Sequence, residues 1–253
     1  NLARGDLGTS FALHRPVLDV FRDAIPNTLV LALAALLIDF GLGIGIGVAQ
    51  GMRPGTRLDG ILSTITLTLY SVPTFWLGLM LVLLFGVRLD WLPVGGVTDP
   101  VFYAMRSPAG RLLDRLQHLV LPALTLGLIG AASTARYQRA AMLEAMRQDF
   151  IRTARAKGLG ERAVAFHHAL PNALLPTITL FGLSLPLLLS GAVLVETVFS
   201  WPGMGKTTVD AVLARDYPLV TGAAILSALI VVLANLVADL AYRVADPRTR
   251  EAS

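Results

Sequence analysis

The chain is 253 residues long, 55% hydrophobic and 15% charged, where an ordinary soluble domain carries about 25% charged residues; its apolar residues fall in long unbroken blocks, which excludes disorder and argues against a water-soluble enzyme. It contains no cysteine, so disulfide and thiolate chemistry are excluded. The 21 basic residues against 17 acidic ones lie between the apolar blocks, where membrane orientation accounts for them better than a nucleic-acid partner does.

Crossing a hydrocarbon core of about 30 Å takes about 20 apolar residues of helix. Five runs meet that need, which predicts an all-α, polytopic membrane protein embedded in a lipid bilayer. They are 29–49, interrupted only by Asp39; 61–87; 119–135, extended by Arg136 and Tyr137, whose long side chains reach the interface; 174–195; and 219–238, closing with Asp239. In the first run Gly41, Gly43, Gly45 and Gly47 give two overlapping four-residue spacings that let membrane helices approach closely. Their alternation faces more than one side, so two neighbours are expected. Pro73, Pro122, Pro176 and Pro186 predict kinks and not breaks, because neighbouring helices can satisfy the freed backbone groups. Asp39, Asn235 and Asp239 read as interhelical or interfacial hydrogen-bonding groups, with the lining of a pathway as the other reading.

Orientation follows from the connections. Segments 51–60, 136–173 and the tail from Arg243 together carry 12 basic and 6 acidic residues, whereas 1–28, 88–118 and 196–218, though longer, carry 9 of each. Basic loops are held on the cytoplasmic side, so the first set is expected inside, together with the C-terminus. The expected layout is a periplasmic segment at 1–28, a transmembrane domain at 29–244 and a cytoplasmic tail at 245–253. Five crossings then put the N-terminus outside, and nothing before Leu29 has the form of a signal peptide. The chain therefore reads as the remainder of a longer one whose start supplied another crossing; a cleaved signal peptide is the alternative.

The inner connection 136–173 is the most informative. Met142, Met146 and Phe150 recur at four-residue spacing while Arg147, Arg152 and Arg155 point elsewhere, an amphipathic pattern. Gly158 interrupts it; Ala163, Phe166 and Leu170 make a second apolar stripe, and Pro171 is expected to end that element. A stiff, charged hairpin of helices is expected, continuous with the spans on either side, so that pushing it moves them. Amphipathic helices lying on the headgroups are the other reading.

The run from Asp149 to Leu159, Asp-Phe-Ile-Arg-Thr-Ala-Arg-Ala-Lys-Gly-Leu, followed by His168-Ala169-Leu170-Pro171-Asn172-Ala173, resembles the EAA loop of ABC importer membrane subunits. That pattern is Glu-Ala-Ala, three residues, Gly, nine residues, Ile, one residue, Leu-Pro. Ala154, Gly158, Leu170 and Pro171 fall in register; Arg152, Thr153 and His168 depart from it. The Arg-Thr-Ala-Arg-Ala-Lys-Gly-Leu form is similar to the permeases for dipeptides, oligopeptides, nickel and glutathione. The likeness extends to Gly5-Asp6-Leu7-Gly8, to Tyr70-Ser71-Val72-Pro73-Thr74-Phe75-Trp76, to Leu92-Pro93-Val94-Gly95-Gly96 and to the run from Glu196 to Gly205, essentially the whole chain.

The resemblance implies the type I ABC importer transmembrane fold, usually of six helices, so that one N-terminal span is missing here. It implies a multi-pass subunit of the bacterial inner membrane with no catalytic residue, metal or cofactor of its own. ATP and Mg are expected in two cytoplasmic ATPase subunits, whose groove seats the EAA loop. A second, related permease subunit completes the pathway, and a periplasmic binding protein delivers the peptide or related small solute. Arg152, Thr153, Ala154, Lys157, Gly158, His168, Leu170 and Pro171 are the expected coupling residues.

Other features carry less. Gly203-Met204-Gly205-Lys206-Thr207 has the end of a phosphate-binding loop but Ser200 where the first glycine is required, and a structural turn is preferred. His167 and His168 are adjacent and cannot share a metal on a helix; His14 and His118 stand alone, and no Ser/His/Asp set is recognisable. A stand-alone secondary transporter or channel would often show matching halves, and no convincing repeat is present. An intramembrane enzyme would need a nucleophile with a base or paired ionisable groups at depth, where only Asp39 is clear.

Overall fold

The computed structural model describes residues 7–245, and within them all side chains except those of 179, 182–183, 185–191 and 237–245. The Gly5-Asp6 half of one quoted motif, the side chain of Asp239 and the segment 246–253 lie outside the described residues. Nine helices run through the described range: α1 (Val17–Met52), α2 (Arg57–Ser71), α3 (Thr74–Leu81), α4 (Pro108–Ala145), α5 (Asp149–Ala156), α6 (Glu161–Ala163), α7 (Leu170–Val198), α8 (Met204–Leu213) and α9 (Tyr217–Ala245). Two π segments, Val82–Arg88 and Val164–Ala169, prolong α3 and link α6 to α7. Among the described residues there is no strand, only one isolated bridge between Thr9 and Pro16.

Among the described residues three helices are long and apolar enough to cross a membrane: α1, α4 and α9 over Tyr217–Leu236. The run at 174–195 lies in α7, where most of its side chains are outside the described set. The second predicted span needs correcting. It is not one kinked helix: α2 and the α3 segment through Arg88 meet at 104°. Val72, immediately before proline, is extended (φ −80, ψ 131), and Pro73 caps α3 at φ −60, ψ 134. The ring disfavours the helical conformation at the residue before it, and here the chain turns. By contrast Pro122 sits inside α4 without breaking it, as expected.

Two compact units divide the chain. The first comprises 1–35, 73–126 and 186–233. Its apolar cluster gathers Val17, Val20 and Phe21 of α1, Met204 and Ala211 of α8 and Leu219 and Ala223 of α9. Asp216 ties the turn before α9 to the N-terminal loop, accepting from Ser10 Oγ and, at 3.0 Å, from the Ala12 amide. Two of the quoted motifs, Leu92 to Gly96 and Glu196 to Gly205, meet here. The Gly96 amide donates to Phe199 O at 2.8 Å, Trp201 Nε1 to Asn27 O at 3.0 Å and Asn27 Nδ2 to Pro202 O at 2.9 Å.

The second unit comprises 36–72, 127–185 and 234–253. The glycines of α1 sort into two faces. A methyl group on Gly43 would stand 2.6 Å from Thr134 Cβ, and one on Gly47 2.6 Å from Ala135 O and Gln138 Cβ, so these two bring α1 against the backbone of α4; Gly51 continues the row over Met142. Gly41 and Gly45 face nothing within 4 Å, so the chain itself supplies one of the two expected neighbours. Asp39, almost fully buried, accepts from Thr134 Oγ1 at 2.6 Å and lies over Gly130 of α4. It bonds between helices, as expected. Thr177 Oγ1 donates to the buried Gln138 of α4, and Arg139 grips Asp59 with Nε and Nη2, both at 2.8 Å.

Candidate functional site

The hairpin after α4 is built from local rules. α4 stops at Ala145, and the Met146, Arg147 and Gln148 amides close the turn on Met142 O, Glu144 O and Ala145 O. Asp149 then opens α5, where a negative side chain favours the helix N-terminus. At the other end the Gly158 amide bonds Arg155 O at 2.9 Å and the Leu159 amide bonds Ala154 O at 3.4 Å, the paired bonds of a Schellman cap. Gly158 has φ +79, and a β-carbon there would meet nothing within 4 Å. Glycine is required by backbone conformation, not by lack of room.

An ion pair closes the turn. Arg155 Nε and Nη2 meet Glu161 Oε1 and Oε2 at 2.7 and 3.0 Å. The guanidinium holds the Glu161 carboxyl below the usual glutamate range. Exposed side chains make this pair a modest contributor to stability, but two parallel bonds fix the loop's direction.

One face of the hairpin is fastened to the unit. Ile151 and Ala154 of α5, Val164 at the start of the second π segment, Ala169 and Ala173 pack with Val48, Met142 and Ala145 in a single buried cluster, with Leu170 and Met146 at its edge. The periodicities expected from sequence are corrected here. Met142, Met146 and Phe150 do not share a helix, because α4 ends between the first two, and Phe150 is exposed. The second buried stripe is Val164, Ala165 and Ala169 with the expected Leu170 at its edge, and not Ala163 and Phe166; Phe166 is exposed. The π turn adds a residue per turn and rotates the register. Pro171 does not end the element either: α7 begins at Leu170 and runs on. Leu170 bonds Ala165 O, five residues back, and that widened turn lies just where the proline ring would otherwise meet a carbonyl.

The eight expected coupling residues therefore separate. Ala154 is buried and Leu170 half-buried at the cluster, facing the chain's own packing. Arg152, Thr153, Lys157, Gly158 and Pro171 are exposed, and His168 is half-buried. Arg152 reaches Asp149 at 3.4 Å, and the His168 carbonyl accepts from Asn172 Nδ2 at 2.8 Å. Sequence reasoning missed the Arg155–Glu161 pair, whose i,i+6 spacing across a glycine turn is its only signal, and the exposed apolar side chains of Phe150 and Leu159.

The structural turn preferred from sequence for the glycine-lysine segment is corrected: only Gly203 precedes the helix, and Met204 to Thr207 form the first turn of α8. Gly203 caps α8, and the Lys206 amide donates at 2.9 Å to the buried carboxylate of Glu196, which also accepts from Thr28 Oγ1 at 2.6 Å. Side chains on Gly203 or Gly205 would overlap that carboxylate. Its backbone donors serve an anion within the same unit, and Lys206 Nζ pairs with Asp210. Among the described residues no group of three or more His, Cys, Asp or Glu could hold a metal.

The family model for the binding-protein-dependent transport system inner membrane component matches residues 41–251. The chain is 45% identical to the di/tripeptide transport system permease protein DppB of Pseudomonas aeruginosa, over 99% of this chain and 78% of that one. It is 42% identical to the oligopeptide transport system permease protein AppB of Bacillus subtilis, over 98% and 77%. The dipeptide transport system permease protein DppB of Escherichia coli K12 is 41% identical over 97% and 77%. Among solved structures the fold matches the inward-facing MetNI methionine ABC transporter with TM-score 0.71 at 18% identity, over 90% of this chain and 97% of that one. An amino acid ABC transporter matches with TM-score 0.64 at 15% identity, over 89% and 94%. These relatives are named as permeases, which supports the importer subunit over both the enzyme and the stand-alone carrier. The chain belongs to the binding-protein-dependent transport system inner membrane component family, and it is a multi-pass permease subunit of an ABC importer.

Proposed function

We propose that this subunit carries di- or oligopeptides, or a related small solute, across the inner membrane after delivery by a periplasmic binding protein. The observation that carries the reading is that three relatives at 41–45% identity over nearly the whole chain are all named as peptide permeases. A second, related permease subunit completes the pathway, and two cytoplasmic ATPase subunits bind ATP and Mg. The excess of basic residues in 51–60, 136–173 and the tail supports a cytoplasmic hairpin and C-terminus.

The eight coupling residues act as two sets. The exposed Arg152, Thr153, Lys157 and Gly158, with Phe150 and Leu159 beside them, meet the ATPase. Ala154 and Leu170 hold α5 on the ends of α1, α4 and α7, while His168 lies in the π segment before α7 and Pro171 in the first turn of α7. A partner can drive alternating access only through different affinity for two states, and closure of the ATPases on ATP supplies that difference. A cap, an ion pair and a packed apolar face leave the hairpin little internal give, so displacement of α5 reaches the helices it is packed on.

The test is uptake by the full complex in proteoliposomes with its binding protein and a labelled dipeptide. ATP-dependent accumulation, competed by unlabelled peptides and absent with an ion gradient alone, is expected. Uptake driven by the gradient without ATP would overturn the reading, and competition by nickel or glutathione and not by peptides would overturn its peptide assignment in favour of the related solute.

A further inference from the structure

A groove of about 590 Å³ opens in the second unit beside the hairpin. Its walls are of two kinds. Ile44 and Val48 of α1, with Phe166 and Leu170 from the π turn and the start of α7, are apolar; Arg53, just past α1, and Arg162, in α6, are cationic. Among the described residues no carboxylate lines it.

Neither guanidinium has a carboxylate partner among the described residues, and the reason is local. The acid nearest Arg53 along the chain, Asp59, has both oxygens on Arg139 at 2.8 Å. The acid nearest Arg162, Glu161, has both on Arg155 at 2.7 and 3.0 Å. Two arginines are thus left beside the apolar walls of this groove, on the side where the basic loops put the inner headgroups. A guanidinium's planar fork matches phosphate geometry, and basic pockets at the cytoplasmic ends of membrane helices take anionic headgroups.

We propose that this groove binds an anionic phospholipid of the inner leaflet. Its phosphate is held by Arg53 and Arg162, and one acyl chain lies along Ile44, Val48, Phe166 and Leu170. The charge of the groove and the apolar length beside it specify an anionic amphiphile and not a zwitterionic one. The site is independent of what the transporter carries.

The test uses the full complex in nanodiscs with Phe166→Trp as a reporter, its signal taken against the complex without that substitution. Brominated phosphatidylglycerol and brominated phosphatidylcholine are titrated in as quenchers. Quenching by the anionic lipid is expected at lower mole fraction, by about fivefold for each arginine contributing about 1 kcal/mol. The preference should fall stepwise in Arg53→Gln, Arg162→Gln and the double variant. Equal quenching by both lipids, or a preference untouched in the double variant, overturns the proposal; no quenching by either means that protein covers the groove, and overturns it too. Should the reporter variant fail to assemble, phosphatidylglycerol co-purified with the complex is measured by mass spectrometry. Loss in Arg53→Gln/Arg162→Gln, with retention in Arg147→Gln, supports the site, and equal retention in, or equal loss from, both variants refutes it.

Discussion

Gly158 is the residue whose identity is most tightly tied to its conformation. Its φ of +79 with open space around the missing side chain means that substitution acts through the backbone, by about 1 kcal/mol for alanine and more for a β-branched residue. Gly158→Val should leave the protein inserted in the membrane yet reduce ATP-driven uptake, with Gly158→Asn intermediate, since asparagine tolerates the left-handed region. Uptake measured beside ATPase activity reads this out; unchanged uptake in the valine variant would count against the hairpin as the coupling element. The Arg155–Glu161 pair gives a pH signature. Because Glu161 is held below its ordinary value, its contribution is fully present above the unfolded glutamate pKa, about 4.3, and is lost as the pH falls through the lower folded value. Glu161→Gln should therefore speed amide exchange at Gly158 and Leu159 at neutral pH, and the difference from wild type should vanish in acid. A difference that persisted in acid would deny the pair that role.

At the scale of elements, the helix contact between α1 and α4 rests on Gly43 and Gly47, whose added carbons would stand on α4 backbone and side-chain atoms, while Gly41 faces open space. Gly47→Leu should lower the thermal stability of the extracted protein by about 1–3 kcal/mol or more, as overpacking does. Gly41→Ala should leave it unchanged or slightly raised by helix propensity. A thermal-shift series on the two variants decides this, and equal losses would show that the two glycine faces are not distinct. These same elements mark what the sequence made legible. Long apolar runs identified α1, α4 and α9 because crossing length is set by bilayer thickness, and the glycine turn was readable because one residue's backbone freedom decides it. The 104° bend at Pro73 was not, since Pro73 and Pro122 look alike in sequence and differ only in whether the preceding residue is held helical. The buried stripe of the hairpin was not legible for a related reason: a π turn changes the period, and the spacing of apolar residues does not announce where such a turn falls.

At the scale of the whole molecule, the candidate site was legible as a set of positions but not as a division of labour. Ala154 and Leu170 turned out to face inward and Arg152, Thr153 and Lys157 outward, a distinction the motif spacing does not contain. The outward set should be the one a cytoplasmic motor touches. Because the chain has no cysteine, Lys157→Cys gives a single reactive site without further change. In the assembled transporter, a membrane-impermeant maleimide should label it in inverted vesicles but not in intact cells, and a short bifunctional reagent should join it to an ATPase subunit. Labelling from the outer face, or no adduct with the ATPase in any nucleotide state, would contradict the assignment of this hairpin as the coupling element.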